Sequence, residues 1–234
     1  DVMAFPRNTT IAAIQDSSLW YAYGAETARQ CREMGISVSF APVVDVNNNP
    51  ANPVINTRAF GSDPEKVADV ASAYARGLQD NGVLAVMKHF PGHGNTAEDS
   101  HEQLARVSQS REAMDTVELL PFRRLIAEGI DGAMVGHLSV PAWENNPNLP
   151  SSQSKAIVSG LLRDKLHFEG LIFTDALVMK GTVSSYSGMN CIKSLLAGND
   201  ILLSPANLPN DIKAVVTAVE KGLLSDSLID AKCR

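Results

Sequence analysis

Three cysteines in 234 residues, Cys31, Cys191 and Cys233, are too few and too scattered for a disulfide framework, and no CxxC spacing marks a thiolate metal site. No block of Lys or Arg occurs, and 20 basic against 26 acidic side chains leave a net charge of -6, which excludes a general nucleic-acid surface. The longest apolar runs are about five residues, far short of the ~20 that cross a bilayer, so no membrane helix or signal peptide is visible. The chain does not begin with Met, which leaves the cellular compartment open. Neither GxGxxG nor GxxxxGK[ST] is present, so the Gly92-His93-Gly94 turn is not a nucleotide loop. What remains is ordinary globular composition, 44% apolar and 20% charged, in a chain long enough for one large domain.

Five β-branched or apolar runs read as buried strands: Val38 to Val46, Val83 to Lys88, Gly132 to His137, Leu171 to Asp175 and Ile201 to Ser204. Amphipathic stretches separate them. The clearest helix is capped by Asp63, carries Pro64 in its first turn and stops at Gly82; others cover about Ser18 to Met34, Glu118 to Glu128, Ile157 to Lys165, Met189 to Ala197, Asp211 to Lys221 and Ser225 to Cys233. Strand and helix in alternation predict a parallel sheet with helical crossovers, and one domain over 1–234. Asp45, Lys88 with His89, His137 and Asp175 all stand at carboxyl ends of predicted strands, where such folds place their ligands.

The densest chemistry lies in Lys88-His89-Phe90-Pro91-Gly92-His93-Gly94-Asn95-Thr96-Ala97-Glu98-Asp99-Ser100-His101, where three His, one Lys and two acids share a strand end and a loop. Asp99 is close enough to His101 to orient its ring or raise its basicity, so the pair reads either as a proton shuttle or as a chance pair of surface side chains. A second focus is Thr174-Asp175-Ala176-Leu177, a carboxylate at the last position of a buried strand, aimed either into a pocket or back at the following turn. Asp45 reads as a strand-end residue that orders the Asn47-Asn48-Asn49 loop.

These residues carry a resemblance. Lys88 to Gly94, then Asp99-Ser100-His101, with Asp175 in its Thr-Asp-Ala-Leu setting, resemble the N-terminal barrel of glycoside hydrolase family three, and most closely its bacterial β-N-acetylhexosaminidases, the β-N-acetylglucosaminidase branch. Ser39-Phe40-Ala41-Pro42-Val43-Val44-Asp45 and Asn56-Thr57-Arg58-Ala59-Phe60-Gly61 match further family segments. The resemblance implies a TIM-type (β/α)8 barrel, present here as an incomplete barrel of about five βα units with the N-terminal third absent, and it leaves room for a further C-terminal domain. It implies a retaining exo-glycosidase acting on terminal β-N-acetylglucosaminides, with peptidoglycan fragments as one source. Asp175 is then the nucleophile and His101, paired with Asp99, the general acid/base. Arg58, Lys88 and His89 would hold sugar hydroxyls, His137 would touch the substrate or brace the nucleophile, and Met179 would line the sugar site. The carbohydrate is the one partner implied; no cofactor, metal, nucleic acid or membrane is.

Two other readings compete. A metal-dependent barrel hydrolase would use His89, His93, His101, His137 and Asp175 as ligands, but it usually opens with two His one residue apart on an early strand, and Lys88 would repel the cation. A noncatalytic sugar-binding fragment would keep the pocket residues without turnover, because five strands cannot close a barrel. On that count the strands at Val38 to Val46 and Ile201 to Ser204 should be sheet edges, and the inward side chains should lose their opposing layer.

Overall fold

A computed structural model describes residues 2–98, 104–182 and 187–233. In chain order its elements are helices α1 (Asn8–Ala12) and α2 (Ser17–Glu33), strand β1 (Val38–Ser39), helix α3 (Pro64–Gln79), strands β2 (Leu84–Phe90) and β3 (Ala105–Arg106), and helices α4 (Arg111–Thr116) and α5 (Leu119–Ala127). Strands β4 (Gly132–Val135) and β5 (Leu138–Ser139), a π-wound helix (Ala156–Lys165), strand β6 (Leu171–Thr174) and helices α6 (Ser187–Ala197), α7 (Leu208–Glu220) and α8 (Asp226–Cys233) follow. Helix ends fall within a few residues of the sequence reading. The largest difference is α7, which starts at Leu208 rather than Asp211 because Asn207 caps it and Pro209 is tolerated in the first turn.

Four strands form one parallel sheet in the order β1-β2-β4-β6, with Val38 opposite Leu84, Val86 opposite Gly132 and Gly132 opposite Leu171. Beyond β6 a single bridge joins Phe173 to Ile201, so the sheet is an arc of five chain passes with edges where the two outermost runs were expected. No closed barrel is formed among the described residues. The outermost runs are shorter than expected. Pro42 has no N–H, so the first strand breaks after Ser39, although the Ala41 and Pro42 carbonyls still accept the Val86 and Lys88 N–H groups and Val43 bridges Lys88. At the other edge the Leu203 N–H donates to Thr174 Oγ1 rather than to a backbone carbonyl, which ends the ladder after one bridge. Of the run Gly132 to His137 only Gly132–Val135 is strand, and β5, just beyond the run, pairs with β3 instead of the main sheet.

Alternation along β2, β4 and β6 sends Ala85, Met87, Ala133, Val135 and Ile172 outward against the helices. Val86, Met134 and Phe173 point inward, and all three are buried. Exposure of this inner layer was expected and is partial: Leu84 and Leu171, two residues before Val86 and Phe173 on the same face, are exposed, whereas Phe40, from one edge, packs edge-on against Phe173 with ring centroids 5.4 Å apart, and Leu203, from the other edge, joins the same cluster. The edges thus cover the middle of the concave face and leave its amino-end layer open. Further apolar exposure falls along α7 at Leu208, Ile212 and Val216.

The carboxyl end of the sheet is where the expected site residues gather, while the opposite end is tied by charge. Asp200 accepts from Arg163 Nη2 at 2.6 Å, Lys232 Nζ at 2.8 Å and the Ile172 N–H at 2.8 Å, which anchors α8 and the π-wound helix to the start of β6. Helices α2 and α3 cross at two glycines: a Cβ on Gly24 would lie 2.1 Å from the Tyr74 carbonyl oxygen, and one on Gly77 would lie 2.3 Å from that of Tyr21.

This crossing reverses the usual effect of replacing a helical glycine. Gly→Ala in an open helix gains about 0.5–1 kcal/mol, whereas a methyl forced against backbone costs about 1–3 kcal/mol or more. Gly77→Ala should therefore lower unfolding free energy in urea by about 1–2 kcal/mol, and an increase would show that the helices can separate freely.

Candidate active site

Asp45 lies at the end of the segment that follows β1 and has no solvent exposure. Its Oδ2 is 2.7 Å from His89 Nδ1, and its two oxygens also accept the His89 N–H at 3.2 Å and, through Oδ1, the His93 N–H at 2.7 Å. Burial pushes this carboxyl up, but its interactions with His89 and His93 outweigh burial and hold it below the ordinary aspartate range. Asp45 thus does not serve the Asn47-Asn48-Asn49 loop, as the sequence reading had it; its hydrogen bonds run across to the end of β2.

His89 is fixed from both sides. Arg58 Nη2 approaches its Nε2 at 3.4 Å, and a guanidinium can only donate, so Nε2 accepts and Nδ1 carries the proton given to Asp45. Arg58 also donates Nη1 to the Val54 carbonyl, and its own carbonyl accepts from Asn8 Nδ2. Lys88 is half-buried beside this group; burial and the Arg58 charge lower its pKa, while Asp175 and Asp45 oppose the shift. The pairing of β2 with β4 skips between Lys88 and Phe90, and the Lys88–His89 and Phe90–Pro91 peptides are cis. Arg58 and Lys88 share a cavity of about 320 Å³ with Phe40 and the N-terminal segment Phe5 to Asn8.

Asp175 extends β6 by one residue, its N–H donating to the Val135 carbonyl at 2.9 Å. Its Oδ1 accepts the Ala176 N–H at 2.8 Å, which leaves Oδ2 without a hydrogen bond among the described residues. Burial raises the carboxyl, yet His89, His137, the Ala176 N–H and Lys88 together bring it below the usual carboxylate value, so it is ionised at neutral pH.

His137 is buried behind this turn. Its Nε2 faces the Ala176 carbonyl at 3.1 Å, so that nitrogen carries the proton, and Nδ1 accepts from Ser152 Oγ at 2.7 Å. Burial lowers its pKa. Both ring nitrogens are engaged by protein, and the Nε2 contact ties His137 to the turn that follows Asp175. Met179 sits half-buried one turn beyond, where its N–H donates to the same Ala176 carbonyl. His93 is buried with Nδ1 2.8 Å from Thr96 Oγ1, and burial together with His89 pulls it down to about 4.

The structure thus gathers Arg58, Lys88, His89, His137 and Asp175 at the strand ends. Asp99 and His101 lie outside the described residues. No three His, Cys, Asp or Glu side chains among the described residues are grouped as ligands of a metal ion, and no described helix is long and apolar enough to cross a membrane. Two residues escaped the sequence reading. Asp45 was seen, but its partners lie 44 and 48 positions away and no local signal names them. Ser152, in a loop read only as a connection, gives no signal at all.

Comparison with known proteins follows this geometry. A model of the glycosyl hydrolase family 3 N terminal domain matches residues 1–234. β-Hexosaminidase LpqI of Mycobacterium tuberculosis is 39% identical over 210 residues, which cover 87% of this chain and 53% of that protein. β-Hexosaminidase A of Pseudoalteromonas piscicida is 38% identical over 198 residues, 79% of this chain and 33% of that protein. A solved glycoside hydrolase family 3 β-N-acetylglucosaminidase from Paenibacillus sp. str. FPU-7 superimposes with a TM-score of 0.95 at 40% identity, covering 99% of this chain and 45% of that one. The chain spans about half or less of the length of these relatives. The strand-end cluster on a parallel α/β arc and the match along all of its residues lead to one conclusion: the chain belongs to glycosyl hydrolase family 3, in the region described as that family's N-terminal domain.

Proposed function

We propose that the protein is a retaining exo-glycosidase that hydrolyses terminal β-N-acetylglucosaminides, peptidoglycan fragments among them. Asp175 is the nucleophile and His101, oriented by Asp99, the general acid/base. The observation that carries this reading is the state of Asp175: an ionised carboxylate on a rigid strand end, one oxygen held by Ala176 and the other without a partner among the described residues. Relatives named β-hexosaminidase and a structure titled β-N-acetylglucosaminidase support the choice of sugar.

In the first step Asp175 Oδ2 attacks the anomeric carbon while the glycosidic oxygen takes a proton from the His101 imidazolium and leaves as the alcohol. A glycosyl ester on Asp175 results. In the second step neutral His101 takes a proton from water, the oxygen of that water attacks the anomeric carbon, and the carboxylate is released. An imidazole suits this work because its ordinary pKa, about 6.5, populates both forms near neutrality without burial. Lys88 and Arg58 hold sugar hydroxyls on one wall, where His89 supports Arg58, with Met179 on another, and His137 keeps the Asp175 turn in place. Nucleophile and proton carrier are both side chains, so the reaction calls for no cofactor or metal.

Kinetics on the full-length protein separate these roles. Asp175→Ala should abolish turnover of nitrophenyl and disaccharide N-acetyl-β-glucosaminides alike. His101→Ala should cost about 10²–10⁴-fold on the disaccharide but far less on an activated aryl glycoside, whose leaving group needs little protonation. Equal losses on both substrates would contradict the acid role, and cleavage of β-glucosides but not their N-acetyl analogues would overturn the substrate.

The hub beneath the sugar wall has a pH signature. The Asp45 carboxyl is depressed in the fold, so its stabilising contribution is complete above the unfolded value of about 4 and is lost as pH falls through the lower folded value. Asp45→Asn turns an amide toward N–H donors and should cost about 2–4 kcal/mol at pH 7. The difference from wild type in urea unfolding should shrink at pH 3; an unchanged difference would show that Asp45 is not ionised in the native protein.

A further inference from the structure

We propose that Glu118 is a positioning residue for the acid/base segment, joining in one buried carboxyl group the two stems of chain that lead into and out of Asp99–His101. The inference rests on the assignment of His101 as general acid/base. Glu118 lies immediately before α5 and is 1% exposed. Its Oε1 accepts from Asn48 Nδ2 at 3.1 Å and from Gln109 Nε2 at 3.0 Å. Asn48 Oδ1 in turn accepts from Asn95 Nδ2 at 2.8 Å. A line of side-chain hydrogen bonds therefore runs from Asn95, on the incoming stem, through Asn48 and Glu118 to Gln109, on the outgoing stem.

The same side chain is also the floor under the incoming stem. Gly92 has a positive φ of 124°, and a Cβ placed there would lie 2.9 Å from Glu118 Cβ, so the loop backbone rests directly on Glu118. The neighbouring asparagines complete the clamp: Asn49 Nδ2 donates to the Asn95 and Thr96 carbonyls, and Asn52 Nδ2 to those of His93 and Gly94. Farther along, the stems touch directly where the Arg106 N–H donates to Glu98 Oε2.

Only one carboxyl oxygen is used. Glu118 Oε2 is buried with no hydrogen-bond partner among the described residues, and burial shifts the carboxyl upward. What the stems require is a single shared acceptor at the position of Oε1, not a charge, and a glutamine can supply it. Truncation removes the acceptor shared by the exposed Asn48 amide and the half-buried Gln109 amide and removes the surface beneath Gly92, so both stems lose their common reference.

Three variants of the full-length protein test this: Glu118→Ala, Glu118→Gln and His101→Ala. Each is assayed on N-acetyl-β-glucosaminides with a dinitrophenyl or a methyl leaving group, well below its melting temperature. A misplaced proton donor costs on the order of 10–100-fold in kcat on the methyl glycoside and little on the dinitrophenyl one. Glu118→Ala should show that selectivity with little change in KM, and Glu118→Gln should stay within about 3-fold of wild type on both substrates. A merely structural loss lowers the active fraction and scales both substrates together, so equal losses would overturn the proposal. So would a Glu118→Gln variant as impaired as Glu118→Ala. Lack of selectivity in His101→Ala would instead fault the acid assignment. Hydrogen exchange then decides the proposal alone: Glu118→Ala should speed exchange in both stems, at residues 92–98 and 104–109, and unchanged exchange there would overturn it.

Discussion

A carboxylate without solvent exposure, Asp45, fixes the arrangement of the strand ends. Removing an ion from water costs several kcal/mol even after relaxation, and that cost is met only where the lone pairs are well satisfied. Asp45 has the His89 ring and the backbone N–H groups of His89 and His93 around it. Those bonds settle the His89 tautomer, the tautomer settles how Arg58 can meet the ring, and Arg58 with Lys88 then forms the cationic wall of the cavity. On the other side of the arc lies the Asp175 carboxylate, ionised partly through its interactions with His89 and Lys88.

The two ends of the sheet divide the labour as parallel α/β folds do, with ligands at the carboxyl ends and stability at the amino ends. At the amino ends, Asp200 collects Arg163, Lys232 and the Ile172 N–H, and Asp131 accepts the Ala85 N–H. None of these bonds faces the cavity. Between the ends lies a concave face that needs no further strand to be dry at its centre, since Phe40 and Leu203 reach in from opposite edges to cover Phe173. The arc therefore holds its strand ends in register by its own packing.

Legibility from sequence tracked the range of the interaction. Asp63 and Pro64 start α3 through contacts a few residues long, and the apolar run at Leu171 ends at Asp175 by the pleat of one strand, so both were readable. Asp175 and the Lys88-His89 pair stood out because an ionisable group at the end of an apolar run is itself a local signal. The break at Pro42 was equally local, but the run of β-branched residues around it concealed it. What escaped was long-range. Asp45 looked like a loop-ordering residue because the asparagines beside it are near in sequence, while its partners are near only in space. Glu118 read as an ordinary acidic residue opening a helix, since nothing within a few positions of it shows that Asn48 and Gln109 will converge there. The partial cover over Phe173 depends on side chains from both edges at once, which no single segment reveals.

The central claim, that Asp175 forms a covalent glycosyl ester, is tested most directly by trapping it. A 5-fluoro-N-acetylglucosaminyl fluoride carries a leaving group that departs without protonation and a ring fluorine that slows release from the enzyme. Incubated with the full-length protein and followed by proteolysis and mass spectrometry, it should leave one fluorosugar on the peptide containing Thr174-Asp175-Ala176, and Asp175→Ala should leave none. An unmodified protein that still turns the reagent over would contradict the account. It would point instead to attack by the substrate's own acetamido oxygen, and a sugar found on any other carboxylate would contradict the account equally.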